Sequence, residues 1–451
     1  MIARGTRLAA VAVLAGCGPW QRVGTTEHTT PEVAVAQLTD AQTVYGAMGL
    51  WVSGAPLPFV AAVRHLAGPT PDSTLVQFAL SLSSHALTFR RESNGFAAEY
   101  FVDVDFQPDT GPALRIATDQ SVRVNTFQET LRADESIIFS RYLLVPPGRY
   151  LVSVQVRDRN GPGVARRDRV DTVPLFSGPA LADPLPFYEG SGRTTLAERP
   201  KLLPNARATV PFSGDTLRFY VEAYGLPPGT RLVARGLDDH GNQIWRDTLT
   251  LMGSAGFGTA ILRLAADRLD VGRQELLVEA LGPTLQTHLP YMVSFSNVWA
   301  LTNFDEMLNV LKYFDRQDLI AKLRTAPPNQ RAEAWREFWK ATDPVPITPE
   351  NEALDSYLQR VQQANQRFTE PGTAGWLTDR GEVFITLGDP EEVFDAGTDA
   401  MHGQPATIRW TYNTLRLVVL FEDRTGFGDY KLTSDSRAAY QEVLGRVRRG
   451  Q

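Results

Sequence analysis

The chain has 451 residues and a net charge of −6, and a chain of this length predicts about three domains. Phosphate binding needs clustered lysine and arginine, and the only basic run is residues 446–449, so we expect no nucleic-acid partner. The 36 glycines and 30 prolines are spread along the chain, which indicates many turns and a mostly β fold.

The first 17 residues have the pattern of a secretory signal. Arg4 and Arg7 precede an apolar run over residues 8–15, which is too short to span a bilayer. The run leads to Cys17, the single cysteine of the chain. Residues 14–17, Leu-Ala-Gly-Cys, resemble the lipobox of bacterial lipoproteins, and that resemblance implies cleavage before Cys17 and acylation of its thiol. A plain export signal with an incidental cysteine is the alternative.

Gly18, rather than an aspartate, follows Cys17. By resemblance to other lipoproteins, this indicates sorting to the outer membrane. Acyl chains hold a protein at a membrane because each buried methylene contributes about 0.8 kcal/mol. We therefore expect an extracytoplasmic protein that is lipid-anchored at the outer membrane, with the membrane as one of its partners.

Residues 18–72 form the next predicted segment. Residues 18–32 are polar and lack periodicity, as is typical of a tether. Residues 33–66 favour one or two short helices, for example over residues 38–48. We assign the whole segment to a tether with short helices.

Two blocks of short alternating runs follow, at residues 73–178 and 200–295. Apolar and polar residues alternate, and turn sequences recur about every ten residues, as is typical of a β-sandwich. Residues 158–161 and 238–242 have hairpin-turn sequences, and a proline-rich link over residues 181–204 separates the blocks. We predict two antiparallel, Ig-like β-sandwich domains.

Helical periodicity extends over residues 298–370. Apolar residues recur at three- and four-residue spacing there, and Trp335, Phe338 and Trp339 lie on one predicted face. Thr348 is followed by a proline and a glutamate, which is the pattern of a helix start. We predict a helical connector.

The last region, residues 371–451, predicts a small antiparallel sheet with a helix packed on it. We expect strands at residues 382–387, 407–412, 415–421 and 429–433, and a terminal helix at residues 435–448. Asp389 and Pro390 have the pattern of a helix N-terminus.

This region resembles the GWxTD-domain proteins of bacteria, over roughly residues 350–434. Five landmarks of that family occur in order, and they are Gly375-Trp376-Leu377-Thr378-Asp379-Arg380-Gly381, an apolar run, Gly388-Asp389-Pro390, Trp410-Thr411-Tyr412 and Gly426-Phe427-Gly428-Asp429-Tyr430. The resemblance implies an exported protein, often a lipoprotein, with β-rich segments before the domain. It implies no reaction.

The same residues have a structural and a functional interpretation. In the structural one, Trp376 is buried, Asp379 accepts backbone N–H bonds in a turn, Gly381 supplies a positive φ, and Arg380 pairs with Asp389 or Asp429. In the functional one, polar side chains converge at one end of the small sheet as a ligand site. The candidate residues, as ligand site or structural motif, are Trp376, Thr378, Asp379, Arg380, Asp389, Asp429 and Tyr430.

Other catalytic and cofactor patterns are absent from the sequence. The six histidines are scattered without a zinc-hydrolase spacing, and there is no Gly-x-Ser-x-Gly elbow. Acidic turns at Asp238-Asp239 and at Asp158 lack the twelfth-position glutamate of an EF-hand. We therefore predict no metal, no cofactor and no catalytic residue.

Our expectation for function is a structural or protein-interaction module of the bacterial envelope, with an envelope protein or polymer as partner. The alternatives are a glycan- or peptide-binding accessory protein, and a hydrolase with a carboxylate site in the C-terminal domain.

Overall fold

The computed structural model describes residues 41–449 except 133–134, 136, 213, 215, 255, 266–268, 281–284, 296–302, 328–329, 347–350 and 397–404. The predicted leader, Cys17 and the tether at residues 18–32 lie outside the described residues. Within them, no helix has the length and apolar character needed to cross a membrane. The architecture is mostly β, with four helices and then a small sheet with two further helices toward the C-terminus.

The first β module follows a short helix, α1 (Ala41–Ala47), and consists of two sheets. One sheet has the order β1-β2-β3-β7, and the other has the order β6-β5-β8-β9 with β4 beside β5. The strands are β1 (Trp51–Ser53), β2 (Phe59–Ala67), β3 (Thr74–Leu82), β4 (Arg90–Glu92), β5 (Gly95–Pro108), β6 (Leu114–Val124), β7 (Ile137–Val145), β8 (Gly148–Asp158) and β9 (Val164–Val173), and helix α2 (Phe127–Thr130) follows β6. The two sheets enclose one apolar core.

Helix α1 lies within the expected short helix over residues 38–48, but strands β1 and β2 occupy the rest of that segment, where a second helix was the alternative, so that part of the prediction is wrong. The reason is that β2 is buried on both faces and shows no alternation. Phe59, Ala61 and Val63 pack in the core of the first module. Val60 and Ala62 point the other way, into the core shared with the second module.

The second β module also has two sheets, ordered β12-β11-β14-β18-β17, with β10 beside β14, and β13-β20-β19-β15-β16. Its strands are β10 (Ala180–Leu181), β11 (Leu185–Ser191), β12 (Lys201–Pro204), β13 (Thr209–Pro211), β14 (Leu217–Tyr224), β15 (Arg231–Leu237), β16 (Gln243–Thr250), β17 (Met252–Ser254), β18 (Phe257–Leu264), β19 (Gly272–Ala280) and β20 (Gln286–Ser294). The expected hairpin across residues 238–242 joins β15 and β16. The proline-rich link contributes strands β11 and β12 to this module.

Two buried polar clusters join the β modules. Arg193 and Glu222 form a fully buried ion pair at 2.8 Å, and Arg193 Nη2 also donates to Ala67 O at 2.7 Å. His65 on β2 lies between Asp171, with Nε2–Oδ2 at 3.0 Å, and Asp183, with Nδ1–Oδ2 at 2.8 Å. Burial alone lowers the pKa of His65, but the hydrogen bonds and charges of the two carboxylates outweigh it and raise the pKa to about 9.

Four helices follow, and their apolar faces continue the core of the second module. They are α3 (Phe304–Val310), α4 (Gln317–Thr325), α5 (Arg331–Thr342) and α6 (Glu352–Arg367). Phe295, after β20, packs its ring 4.7 Å from that of Trp335 on α5. Asn351 caps α6 by accepting from Leu354 N, while the expected cap Thr348 lies outside the described residues.

The C-terminal region has a four-stranded antiparallel sheet, ordered β21-β22-β23-β24, with helices on one face. The elements are α7 (Asp379–Leu387), β21 (Glu392–Asp395), β22 (Ala406–Tyr412), β23 (Leu417–Asp423), β24 (Lys431–Leu432) and α8 (Ser434–Arg448). The hairpin of β22 and β23 and the terminal helix confirm the prediction.

Two local predictions in this region are wrong. Residues 382–387, expected as a strand, belong to helix α7, because Thr378 caps the helix three residues before Gly381. A short apolar run fits a buried strand and a buried helix equally well. The stretch at Asp389 and Pro390, expected to start a helix, instead leads into β21.

Candidate functional site

The segment from Gly375 to Gly381 forms a tight corner between α6 and α7. Gly375–Leu377 is a single 3-10 turn, and Thr378 begins the helix. Thr378 Oγ1 accepts from Gly381 N at 3.0 Å and donates to Gly375 O at 2.8 Å. The buried hydroxyl therefore fixes the 3-10 turn against the first turn of α7.

The two glycines are needed for close approach rather than for an unusual backbone angle. A β-carbon on Gly381 would lie 2.0 Å from Gly375 O, and one on Gly375 would lie 2.3 Å from Ala364 O. Neither residue has a positive φ, so our expectation for Gly381 is wrong. These contacts bring the backbone of α7 against the turn and the turn against the end of α6.

Trp376 fills the space under the corner. Its side chain is only 1% exposed, and its ring centroid lies 6.5 Å from that of Tyr313 in an edge-on arrangement. The indole Nε1 has no hydrogen-bond partner among the described residues. The expected burial of this ring is confirmed, and its main contribution is packing.

Asp379 joins α7 to two later segments of the chain. Its Oδ2 accepts from Leu432 N on β24 at 2.7 Å and forms an ion pair with Arg437 on α8. The carboxylate raises the pKa of the Arg437 guanidinium through a direct hydrogen bond. Asp379 therefore accepts a backbone N–H, as expected, but from a strand 53 residues away rather than from its own turn.

Arg380 pairs with a carboxylate that sequence reasoning missed. Its Nη2 and Nε lie 2.9 and 3.2 Å from Glu370 Oε1, and the Glu370 side chain is 0% exposed. The guanidinium also lies 4.4 Å from the ring centroid of Tyr430. Neither Asp389 nor Asp429 is the partner, so the expected pairing of Arg380 is wrong.

Glu370 is the most deeply buried charge of the corner. Its Oε1 accepts from Tyr430 N at 3.3 Å, whereas Oε2 has no hydrogen bond among the described residues and lies 4.0 Å from Lys431 Nζ. Burial raises the pKa of the Glu370 carboxyl, contact with Asp429 adds to this, and Arg380 opposes it. The sequence signal for this residue is weak, since it consists only of a glutamate before Pro371 and Gly372.

Asp389 and Asp429 have different surroundings. Asp429 Oδ1 lies 2.7 Å from Lys431 Nζ, so Asp429 belongs to the corner. Asp389 pairs instead with Arg367 at 2.7 Å, and both side chains are largely exposed. Of the candidate side chains, Asp379, Arg380, Asp429 and Tyr430 therefore lie at the corner, and Asp389 does not.

The corner is balanced in charge. Three carboxylates face three cations, and these pairs are Glu370 with Arg380, Asp379 with Arg437, and Asp429 with Lys431. The first two pairs link segments that are distant in sequence, and the third orders the loop that carries Tyr430. This arrangement favours the structural interpretation, since a general acid or base needs a carboxylate that a substrate reaches.

The loop after β23 is ordered by one carboxylate. Asp423 accepts from the backbone N–H groups of Thr425, Gly426 and Gly428, at 3.0, 2.9 and 2.6 Å. This places Phe427 at the tip of the loop, where it is 79% exposed. The glycine-flanked aromatic of the sequence motif is therefore held away from the core.

Part of the chain that includes the corner matches a known protein family. The model of the GWxTD domain matches residues 282–437. The chain contains a GWxTD domain. The matched region begins earlier than the resemblance over residues 350–434 indicated, so β20 and the helices α3 to α6 belong to the same family region as the corner.

Other comparisons add little to the GWxTD assignment. No curated protein matches the chain. A structure of Bifidobacterium dentium beta-glucuronidase complexed with coumarin-3-O-glucuronide aligns at 10% identity and a TM-score of 0.18, over 53% of this chain and 44% of that one. The chain thus spans less than half the length of that protein, and a TM-score of 0.18 does not indicate a shared fold.

Two further features lie in the second β module. Asp238, Asp239 and His240 offer ligand atoms within 4.8 Å of one another, but Asp238 already accepts from the N–H groups of His240 and Asn242 and so builds the turn. A shallow cleft of about 460 Å³ is lined by Arg193, Tyr220 and Arg263 among others, and the single aromatic in its lining, Tyr220, is buried.

Proposed function

We propose that this GWxTD protein is a lipid-anchored, extracytoplasmic module of the bacterial envelope that binds another protein through its C-terminal sheet. The N-terminal pattern ending at Cys17 supports the anchor and an outer-membrane location. The neutralised ion pairs of the corner support a structural use of the family motif, and so favour binding over hydrolysis.

The proposal rests on the outer face of the C-terminal sheet, which exposes apolar side chains. Phe394, Arg409 and Leu420 lie in one row across β21, β22 and β23. Phe394 is 57% exposed, and Val418 on the same face is 49% exposed. The opposite face buries Trp410 and Phe421. Val418 and Leu420 are neighbours on this face, and Arg409 lies between Leu420 and Phe394 with its guanidinium 5.2 Å from the Phe394 ring centroid. Exposed apolar residues grouped on one face are typical of interaction sites.

Strand β21 adds a second feature to that face. It is an edge strand of four exposed residues, and it pairs only with β22 among the described residues. A free edge offers backbone groups to an added strand, while the neighbouring face offers apolar contacts. A protein partner fits this combination better than a glycan does. Glycan-binding sites usually hold the sugar against exposed aromatic rings in a groove. In the cleft of the second module the aromatic ring is buried.

Photo-crosslinking in intact cells tests the proposal. A photoreactive phenylalanine at Val418 is expected to give a discrete protein adduct, whereas the same group at Glu442, exposed on α8, is not. Equal labelling from both positions, or no adduct from Val418 in cells that contain the protein, would refute the proposed face.

The anchor is tested separately. Cys17→Ser is expected to move the protein from the membrane to the soluble fraction. If the variant fractionates with membranes as the unsubstituted protein does, the lipid anchor is wrong, and the binding face is judged by the crosslinking result alone.

A further inference from the structure

Strand β6 of the first β module is a long open edge. It pairs with β5 over eleven consecutive residues, Leu114–Val124, without a bulge. Among the described residues no strand pairs with its other side. Exposed edges of this length are normally blocked by a proline, a bulge or charged side chains, because they otherwise template pairing with another chain.

The hydrogen-bonding groups of β6 that face outward can be assigned. Arg159 N donates to Glu99 O, so the odd-numbered residues of β5 point their backbone groups toward β8, and the even-numbered ones point toward β6. The register pairs even residues of β5 with even residues of β6, for example Val104 with Ile116. The odd residues of β6 therefore present their N–H and C=O groups to the open side.

The charges on β6 are already neutralised within the sheet. Arg115 pairs with Asp103, Asp119 with Arg159 at 2.7 Å, and Arg123 with Glu92 at 3.4 Å. None of them is left as an unpaired charge that would repel an incoming strand. From the described part of the chain, Asp119 O accepts only local side-chain bonds, including one from Gln120 Nε2 at 2.7 Å, which agrees with a carbonyl outside the ladder.

The sequence of β6 reads nearly the same in both directions about Asp119. On the half-buried face, Leu114 corresponds to Val124, Ile116 to Val122 and Thr118 to Gln120. On the exposed face, Arg115 corresponds to Arg123 and Ala117 to Ser121. An antiparallel pair of identical strands places residues in this relation opposite one another. Ala117 then faces Ser121, and Arg115 of one copy faces Arg123 of the other, each beside its own carboxylate partner, Asp103 or Glu92.

We propose that two copies of the chain pair through β6, antiparallel, with the twofold axis at Asp119. The strands β9-β8-β5-β6 of each copy then form one continuous sheet. In this register the odd-numbered residues of the two β6 strands, whose N–H and C=O groups point to the open side, lie opposite one another. This gives roughly ten backbone hydrogen bonds across the axis. The partner is a second copy of this chain, and the surface is independent of the C-terminal face proposed above.

The twofold axis brings the two Asp119 carboxylates close together. Each already has its own counter-ion, Arg159, whose guanidinium lies 4.6 Å from the ring centroid of Phe101. Because the guanidinium lies over Phe101 of β5, on the side away from the axis, the order across the axis is guanidinium, carboxylate, carboxylate, guanidinium, and each guanidinium reduces the repulsion between the two aspartates.

Engineered cysteines test the register. Cys17 is the single cysteine of the chain, so Cys17→Ser gives a thiol-free full-length background. Asp119→Cys faces itself at a Cα separation of about 5.5 Å, within disulfide range. Under a mild oxidant such as copper phenanthroline it is expected to form a covalent dimer. Ala117→Cys alone faces residue 121 of the other copy and is expected to form no covalent dimer, whereas Ala117→Cys with Ser121→Cys is expected to crosslink.

Equal crosslinking of Asp119→Cys and Ala117→Cys, or none from Asp119→Cys, overturns the proposal. A second measurement uses Ser121→Pro, which removes an outward N–H and leaves the bonds to β5 in place. Sedimentation of the full chain in detergent is expected to show a dimer whose dissociation constant rises more than about 100-fold in this variant, with an unchanged far-UV circular dichroism spectrum. A monomeric unsubstituted chain at micromolar concentration also overturns the proposal.

Discussion

Removal of the Glu370 side chain is the sharpest test of the corner in the GWxTD domain. Glu370→Ala leaves Arg380, which is 14% exposed, without its carboxylate. Breaking a buried ion pair by removing one partner costs about 3–5 kcal/mol, because an uncompensated charge stays buried. Glu370→Gln keeps an acceptor oxygen for Arg380 and Tyr430 N, so we expect a smaller loss of about 1–3 kcal/mol.

A matched control lies in the same domain. Asp389 pairs with Arg367 at 2.7 Å, as close as the Glu370 pair, but both side chains are largely exposed. Exposed pairs contribute about 0–1 kcal/mol, so Asp389→Ala is expected to have little effect on stability. Burial is therefore the main variable that separates the two substitutions.

Urea unfolding together with amide hydrogen exchange measures the difference. Exchange is followed at residues 375–387 and 430–432, which the corner holds together. We expect faster exchange there in Glu370→Ala and native rates in Asp389→Ala. Equal unfolding free energies for the two variants would refute a structural corner, and loss of a crosslinked partner with stability intact would make Glu370 part of a binding site.

Three further predictions follow from contacts described above. Trp376→Ala should destabilise the domain by about 3–5 kcal/mol in urea unfolding, and a loss below 1 kcal/mol would contradict its packing role. Gly381→Ala should destabilise the domain because its β-carbon would meet Gly375 O at 2.0 Å. A β-carbon on Gly445 in α8 would make an ordinary contact of 3.7 Å with the Arg449 guanidinium, so Gly445→Ala should leave stability unchanged or slightly higher. The raised pKa of His65, about 9 against 6.5 unfolded, stabilises the junction of the β modules by about 3 kcal/mol below pH 6.5. That stabilisation is lost as pH rises through 9, and His65→Ala should remove the pH dependence in thermal unfolding.

Local patterns predicted much of the fold correctly. The turn at residues 238–242 and the alternation around it define β15 and β16, and Trp410 and Tyr412 alternate inward along β22. These features depend on neighbours close in sequence. The helix α7 could not be told from a strand, because the short, mostly apolar run Val383-Phe384-Ile385-Thr386-Leu387 fits either structure.

The features that sequence reasoning missed depend on distant contacts. Strand β2 lacks alternation because two different cores bury its two faces, and neither core is visible from residues 59–67 alone. Glu370 is buried because Arg380 and Tyr430, 10 and 60 residues away, close over it. The converging residues were mostly predicted, but the carboxylate at their centre was not.

The double burial of β2 also bears on the order in which the chain is made. Ala67 N donates to the Tyr224 hydroxyl, 157 residues later. At a synthesis rate of roughly 5–20 residues per second, β2 waits about 8–30 s for that partner. During that interval its second apolar face has no native cover, and apolar surface that is exposed during folding promotes aggregation.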